Sequence, residues 1–156
     1  MSSITTPIRL EFEVRAGRDL TRFLAGIAEG RFFGRRCPSC RKVYVPPRGG
    51  CPACAVAMAE EVAVADTGTV TTFCIVNVPF AGQAVKPPYA YAGVLLDGSD
   101  IPFAHLVYGL PVAEVRSGLR VRADWAAERR PTMETILGFR PTGEPDAPPS
   151  VWKAHV

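Results

Sequence analysis

The sequence contains no apolar run that approaches the roughly 18 residues needed to cross a membrane. Within the first 17 residues, the apolar residues Ile8, Leu10, Phe12 and Val14 alternate with charged residues. A secretory signal instead needs an unbroken apolar stretch. These absences predict a cytoplasmic protein that does not associate with membranes. Thiols stay reduced in that compartment, so clustered cysteines indicate metal ligands rather than disulfides.

The sequence also lacks the motifs of common catalytic sites. It has no Gly-x-Ser-x-Gly elbow, no phosphate-binding loop and no dinucleotide fingerprint. Of its 2 histidines, His155 lies near the C-terminus and His105 lies in an apolar strand pattern. A single histidine in a strand is more often a hydrogen-bonded structural residue than a base. We therefore expect no catalysis by this chain alone.

The length of 156 residues fits one domain, or one domain with a small module. With 47% hydrophobic residues the chain can bury a core. Its net charge of +3 is mild and does not by itself indicate nucleic acid or an anionic membrane as a partner.

Four of the 5 cysteines lie within 18 residues, in two C-x2-C pairs: Cys37 and Cys40, then Cys51 and Cys54. Each pair forms a tight knuckle, and two facing knuckles complete a tetrahedral shell of four sulfurs. Such a closed shell suits one structural zinc ion, with iron in a rubredoxin-like site as the rival. Knuckles favour glycine just after the second cysteine, and here Arg41 and Ala55 occupy those positions.

The segments around the knuckles predict a helix, a zinc ribbon and a barrel. Helical spacing over residues 20–27, with Asp19 as N-cap and Gly30 as stop, predicts an amphipathic helix. Later come five strand patterns, over residues 68–78, 89–97, 101–108, 119–127 and 134–140. Their short spacing suits a closed five-stranded OB-fold barrel, with a helix expected within residues 111–118. Cys74 is predicted to be a small buried hydrophobe.

These patterns divide the chain into four parts. Residues 1–30 form an N-terminal arm and helix, with a strand pattern over 7–15 that could pair with a partner chain. Residues 31–60 form the ribbon, 61–142 the barrel, and 143–156 an extended tail. The tail is too rich in proline and polar residues to form a core. It ends in an apolar pair, Val151 and Trp152, that hints at docking onto another protein.

Two features are candidates for binding. The stretch between Glu29 and Glu60 has no acidic residue and six cations, which predict either a solvated surface or an anion-binding face: Arg31, Arg35, Arg36, Arg41, Lys42 and Arg48. The loop over residues 79–88 is rich in proline and is a candidate ligand or partner contact. It carries Phe80 and Lys86, and Tyr89 and Tyr91 follow it.

The order of these parts resembles the zinc-ribbon/OB-fold family of acyl-CoA-associated proteins. The resemblance covers residues 18–142 and rests on the paired cysteines, the Pro46-Pro47-Arg48 step, "GTVTTFCIVNV", "PYAYAGVLLDG" and "GLRVRADW". It implies an accessory subunit of a thiolase-superfamily enzyme, such as a lipid-transfer-protein-like thiolase or aldolase of fatty-acid or steroid side-chain breakdown. The four paired cysteines match the family's metal ligands, and Arg48 matches its post-proline arginine.

The resemblance also implies a hetero-oligomer in which the partner supplies the catalytic groups and acyl-CoA lies at the shared interface. The candidate contacts with coenzyme A or the partner are Arg35, Arg36, Lys42, Arg48, Phe80, Lys86, Tyr89 and Tyr91. Two alternatives remain open from the sequence. Zinc ribbons and OB-folds also bind nucleic acid, although residues 69–78 lack the basic residues such barrels carry. A rubredoxin-like electron carrier would leave the barrel without a role.

Overall fold

The computed structural model describes residues 13–156. The predicted strand over residues 7–15 lies mostly outside this part, and residues 13–17 form no regular element. The helices are α1 (Arg18–Ala28) and α2 (Pro149–Trp152), and the strands are β1 (Phe32–Arg36), β2 (Val43–Tyr44), β3 (Glu60–Val64), β4 (Thr67–Val76), β5 (Tyr89–Leu96), β6 (Phe103–Val107), β7 (Arg120–Trp125) and β8 (Ile136–Pro141). Among these helices none has the length and apolarity of a membrane span.

Helix α1 ends as the sequence predicts but begins differently. Gly30 has a φ of 72° and follows the last turn, where its N–H donates to the Ile27 carbonyl and the Arg31 N–H donates to the Gly26 carbonyl. This is the Schellman arrangement that glycine favours. The predicted N-cap, Asp19, is wrong, because Gly17 occupies that position. Asp19 instead lies in the first turn, where its carboxylate accepts a hydrogen bond from Arg35 at 3.0 Å.

The zinc ribbon is a three-stranded antiparallel sheet in the order β2-β1-β3. Strand β3 pairs with β1 along its whole length, from Phe32 opposite Val64 to Arg36 opposite Glu60. The sequence analysis did not identify β3, because its two glutamates and short length give a weak strand pattern. The ribbon sheet therefore includes residues beyond the predicted boundary at 60.

The second part is a closed barrel in the order β4-β5-β6-β8-β7, so the predicted five-stranded OB-fold is confirmed. All neighbouring strands are antiparallel except β6 and β8. The fold class is thus mostly β, with an N-terminal helix and a ribbon before the barrel. The helix predicted within residues 111–118 is reduced to a single 3-10 turn, Val112–Glu114. A second 3-10 turn, Met133–Thr135, precedes β8.

One hydrophobic core joins the helix, the ribbon and the barrel. Phe32 of β1 is 1% exposed and packs against aromatic rings from both other parts. Its ring lies 5.0 Å from that of Trp125, 5.6 Å from that of Phe103 and 6.5 Å from that of Phe23, centre to centre. These distances are typical of favourable aromatic contacts. We call Phe23, Phe32, Phe103, Trp125 and Phe139 the aromatic joint.

Hydrogen bonds also attach the ribbon to the barrel. The Val43 N–H of β2 donates to the Asp100 carboxylate at 2.8 Å, and the Asp100 N–H donates to the Val43 carbonyl at 3.0 Å. Asp100 lies in the turn that joins β5 and β6 into an antiparallel hairpin. The ribbon therefore contacts the barrel at that end of the hairpin.

The C-terminal tail differs from the predicted extended segment. It folds back on the barrel and ends in α2 and a 3-10 turn, Lys153–His155. The Ala147 N–H donates to the Gly118 carbonyl at 2.8 Å, and the indole N–H of Trp152 donates to the Ala147 carbonyl at 3.3 Å. Trp152 therefore has contacts within the chain, with Ala147 and close to Gly118.

The shared core predicts that the ribbon and the barrel unfold together. Replacing Phe32 with alanine (Phe32→Ala) removes the ring that contacts both parts, and we expect it to lower the free energy of unfolding by about 3–5 kcal/mol. Phe80→Ala is the matched control, since the Phe80 ring is 65% exposed and should cost under about 0.5 kcal/mol. Urea unfolding followed by fluorescence measures both. Equal stability of the two variants would contradict the shared core.

Candidate metal centre and partner surface

The two cysteine knuckles have the same backbone hydrogen bonds. In the first, the Cys37 N–H donates to the Lys42 carbonyl and the Arg41 N–H donates to the Cys37 carbonyl. The second repeats this pattern, with Cys51 bonded to Val56 and Ala55 to Cys51.

Arg41 and Ala55, at the positions where glycine is usual, adopt φ angles of 64° and 55°. The knuckles thus keep the left-handed turn although neither residue is glycine.

The four cysteine sulfurs are positioned to bind one metal ion. All four Sγ atoms lie within 4.8 Å of one another, and the Cys40 and Cys51 sulfurs are 3.8 Å apart. A tetrahedral site with metal–sulfur bonds of about 2.3 Å has sulfur–sulfur edges of about 3.8 Å, so the spacing fits zinc. Cys37 and Cys51 are buried, whereas Cys40 and Cys54 lie nearer the surface. The predicted ligand set therefore converges on one point.

Tyr44 of β2 is an additional residue of the metal centre. Its side chain is buried, and its hydroxyl lies 3.4 Å from the Cys51 sulfur. As a donor to the thiolate, this hydroxyl is the largest cause that lowers the pKa of Cys51 to about 6. The same hydrogen bond raises the pKa of Tyr44 to about 12. Tyr44 therefore favours the deprotonated sulfur that a metal requires.

Tyr44 is not among the metal-site residues predicted from the sequence. Its spacing from Cys51 follows no motif, because the contact forms only when the two knuckles face each other. The one available signal is a polar aromatic residue between Val43 and Val45 in a ribbon strand. A buried tyrosine usually finds a hydrogen-bond partner, and here the partner is a ligand sulfur.

Most cations of the basic ribbon stretch are paired with carboxylates from outside it. Arg31 contacts Glu29, Arg35 contacts Asp19, and both Arg36 and Arg41 contact Glu60. Carboxylates thus lie beside these four side chains, which favours the predicted solvated surface over the anion-binding face. Arg35 is only 14% exposed, so it has little surface to offer a ligand.

Lys42 and Arg48 are the exceptions in the basic stretch. Both are exposed, and neither has a carboxylate partner among residues 13–156. They remain the two ribbon cations with charge available to a partner. Lys86, in the loop over residues 79–88, is exposed in the same way.

The loop over residues 79–88 presents apolar side chains at one end of the barrel. Phe80 and Val78 are 65% and 74% exposed, and Phe73 and Tyr91 are exposed on the adjoining strands. We call these four residues the loop-end surface. Cys74 follows Phe73 in β4 and is also exposed, so the prediction that Cys74 is buried is wrong. The reason is that this half of β4 extends beyond the strand that flanks its first half.

Gln83 fixes the conformation of this loop. Its side-chain carbonyl accepts a hydrogen bond from the Phe80 N–H at 3.3 Å, and its amide donates to the Tyr89 hydroxyl at 3.2 Å. Tyr89 is consequently half-buried, while Tyr91 directs its hydroxyl to the Ala104 carbonyl. Of the two tyrosines predicted as contacts, Tyr91 offers more surface.

The loop-end surface and the ribbon lie at opposite ends of the β5–β6 hairpin. The loop joins β5 at Tyr89, whereas the ribbon contacts the turn at Asp100. Strand β5 has 8 residues, which span about 23 Å at roughly 3.3 Å per step. The predicted contact residues therefore form two separate groups.

His105 occupies an aromatic environment in β6. Its ring stacks on that of Phe103 at 6.0 Å and meets the edge of the Phe139 ring at 6.1 Å. Its Nδ1 atom is buried and has no hydrogen-bond partner among the described residues. Burial lowers the pKa of His105, which favours the neutral ring. The prediction of a hydrogen-bonded structural residue is therefore not met at Nδ1.

The Tyr44 contact yields a test of the metal centre. Tyr44→Phe removes the hydroxyl that stabilises the Cys51 thiolate and keeps the ring, so we expect zinc affinity to fall about tenfold. Tyr91→Phe, which removes a hydroxyl far from the sulfurs, should leave the affinity unchanged. Competition with a chromogenic chelator measures both variants. Equal affinities would contradict a role for Tyr44 at the metal.

Family models match two consecutive regions of the chain. Residues 24–58 match the ChsH2 rubredoxin-like zinc ribbon domain, and residues 61–126 match the ChsH2 C-terminal OB-fold domain. Comparison with curated proteins gives no significant match. The four converging sulfurs and the ribbon match agree on one structural zinc ion.

Solved structures share this architecture. A chain of the structure described as "Ltp2-ChsH2(DUF35) aldolase" is 25% identical, with a TM-score of 0.63 over 83% of this chain and 98% of that one. A DUF35-family protein of unknown function from Sulfolobus solfataricus is 17% identical, with a TM-score of 0.60 over 80% of this chain and 84% of that one. With both ChsH2 domains present in order, the chain belongs to the ChsH2 family of zinc-ribbon/OB-fold proteins.

Proposed function

We propose that this protein is a non-catalytic partner subunit of a thiolase-superfamily enzyme, a lipid-transfer-protein-like thiolase or aldolase. The observation that carries the proposal is its similarity to nearly the whole of a chain in the Ltp2–ChsH2 aldolase. The substrate class we propose is an acyl-CoA of fatty-acid or steroid side-chain degradation. In this role the nucleophile, base and oxyanion donors come from the partner.

The shared core supports a bracing role. The aromatic joint holds the ribbon and the barrel together, and the zinc site holds the two knuckles. Such a preorganised body loses little conformational entropy when it docks. The chain would therefore fix the shape of the complex without contributing reacting groups.

We assign the main partner contact to the loop-end surface. Exposed aromatic residues are typical of interface centres, and here Phe80 stands next to the exposed Val78 in sequence. Gln83 holds the Phe80 backbone, so this ring is presented at little entropic cost. Lys86 lies on the same loop, and its ammonium group suits a phosphate of coenzyme A or a carboxylate of the partner.

We assign Lys42 and Arg48 to a second, weaker contact with acidic groups. About 23 Å of β5 separates the ribbon from the loop, so the two groups would meet different parts of the partner or of an extended coenzyme A. Pairing of four ribbon arginines with carboxylates weakens the nucleic-acid alternative, because it removes most of the charge that a phosphate backbone would need.

Reconstitution tests the proposed function. The purified chain should cleave no acyl-CoA, and mixing it with a thiolase-like subunit from the same genome should restore thiolase or aldolase turnover. Thioester cleavage by the chain alone would overturn the accessory role, as would turnover of the partner that is unaffected by the chain.

Within the loop-end surface, we expect the Phe80 side chain to contribute most to binding of the catalytic partner. Phe80→Ala should weaken binding to the catalytic partner about tenfold or more, since truncation of a central aromatic typically costs over about 1–2 kcal/mol. Met133→Ala is the matched control, because Met133 is also exposed but lies beside α1, at the ribbon end of the barrel. Calorimetric titration measures both affinities. A larger loss for Met133→Ala would move the interface to the ribbon end.

A further inference from the structure

Half of strand β4 has no neighbouring strand on one side. The structure pairs β4 with β7 only from Thr67 to Thr69, and Val70 then bonds to the backbone of Gly118 and Leu119. From Thr72 to Val76, β4 pairs with β5 alone among the described strands. Its other edge over these residues is the open edge of the barrel sheet.

The composition of this open edge favours pairing with another strand. Residues 70–78 read VTTFCIVNV, with no charge and no proline. Exposed edges of this kind are templates for strand addition, and natural proteins block them with charges, prolines, bulges or a covering segment. A bulge between Val70 and Thr72 precedes the open stretch, but no charge follows within it.

A C-terminal segment lies against the same strand. Residues 143–156, which we call the C-terminal strap, fold back so that α2 and the final 3-10 turn lie against β4. The strap passes very close to Gly118, the residue whose N–H donates to Val70. A Cβ placed on Gly118 would lie 3.0 Å from the Ala147 carbonyl oxygen and 3.1 Å from the Trp152 indole nitrogen.

The strap is held by a small number of reversible contacts. Arg116 donates two hydrogen bonds to the Asp146 carboxylate, at 2.6 Å and 2.8 Å, and Arg120 contacts Glu144 at 3.3 Å. The hydrogen bond from the Ala147 N–H to the Gly118 carbonyl and the contacts of α2 and the final 3-10 turn with β4 also hold the strap. Exposed ion pairs of this kind are individually weak, so the strap can detach without unfolding the barrel.

We infer that the C-terminal strap is a removable cover that prevents the open edge of β4 from pairing with the same edge of a second copy of this chain. Antiparallel pairing about a two-fold axis requires one segment to meet itself, and the uncharged edge presents no like charges that would oppose this. The inference does not rest on the proposed catalytic partner.

Removal of the strap tests the inference. A chain that stops at Thr142, with Cys74→Ser to exclude disulfide linkage, should form dimers or larger species as its concentration rises. The full-length Cys74→Ser chain should remain monomeric. Light scattering after size-exclusion chromatography measures both, with zinc content and circular dichroism as checks of folding. A folded, shortened chain that stays monomeric over the same concentrations would overturn the inference.

A charged residue on the open edge of β4 distinguishes strand pairing from nonspecific association. In the shortened chain, Cys74→Lys should restore the monomer, because paired copies would bring lysines opposite each other. Met133→Lys, on a distant exposed turn, should not restore it. Association that resists Cys74→Lys, or that Met133→Lys also abolishes, would assign the contact to another surface.

A full-length variant covers the case in which the shortened chain fails to fold. Arg116→Ala removes the paired hydrogen bonds to Asp146, and amide exchange over residues 72–76 should then rise about fivefold. Arg130→Ala, which breaks a comparable exposed pair with Glu128, is the control and should leave this exchange unchanged. Equal amide exchange over residues 72–76 in both variants would overturn the inference that the strap covers the open edge of β4.

Discussion

The structure depends on the burial of Phe32, an aromatic residue of the ribbon, within the core of the barrel. A ribbon of about thirty residues buries too little apolar surface to be stable alone. The aromatic joint gives it a share of the barrel's core, and the bonds between Val43 and Asp100 fix its orientation. Every surface of the protein is positioned by this junction.

The metal centre supplies the remaining order in the ribbon. Apart from the residues that it contributes to the main core, the ribbon has a small second core around Cys37, Tyr44, Cys51 and Met58. Metal binding therefore contributes folding free energy in this region, as it does in other small metal-binding modules. Tyr44 belongs to this second core and its hydroxyl reaches a ligand sulfur, whereas its neighbours Val43 and Val45 belong to the main core. The site is consequently structural in its shape and in its closed coordination.

Charge and exposed apolar surface are distributed differently in the folded protein from what the local sequence indicates. The ribbon arginines are matched by carboxylates from α1, the residue after it and β3, so the ribbon is less basic than its local sequence. Apolar exposure instead concentrates at the far end of the β5–β6 hairpin, on the loop-end surface. The metal site and the loop-end surface therefore lie toward opposite ends of the β5–β6 hairpin.

The sequence by itself determined the four ligands, the helix stop at Gly30 and the five barrel strands, because each follows from spacing or alternation within a short segment. Strand β3, the partners of the arginines, the Tyr44 contact and the exposure of Cys74 were decided only by tertiary structure. Each depends on how separate segments pack together, as α1 does with β1 for Asp19 and Arg35, and as the two knuckles do for Tyr44 and Cys51. Local pattern specifies which elements form, whereas packing decides which side chains remain free to act.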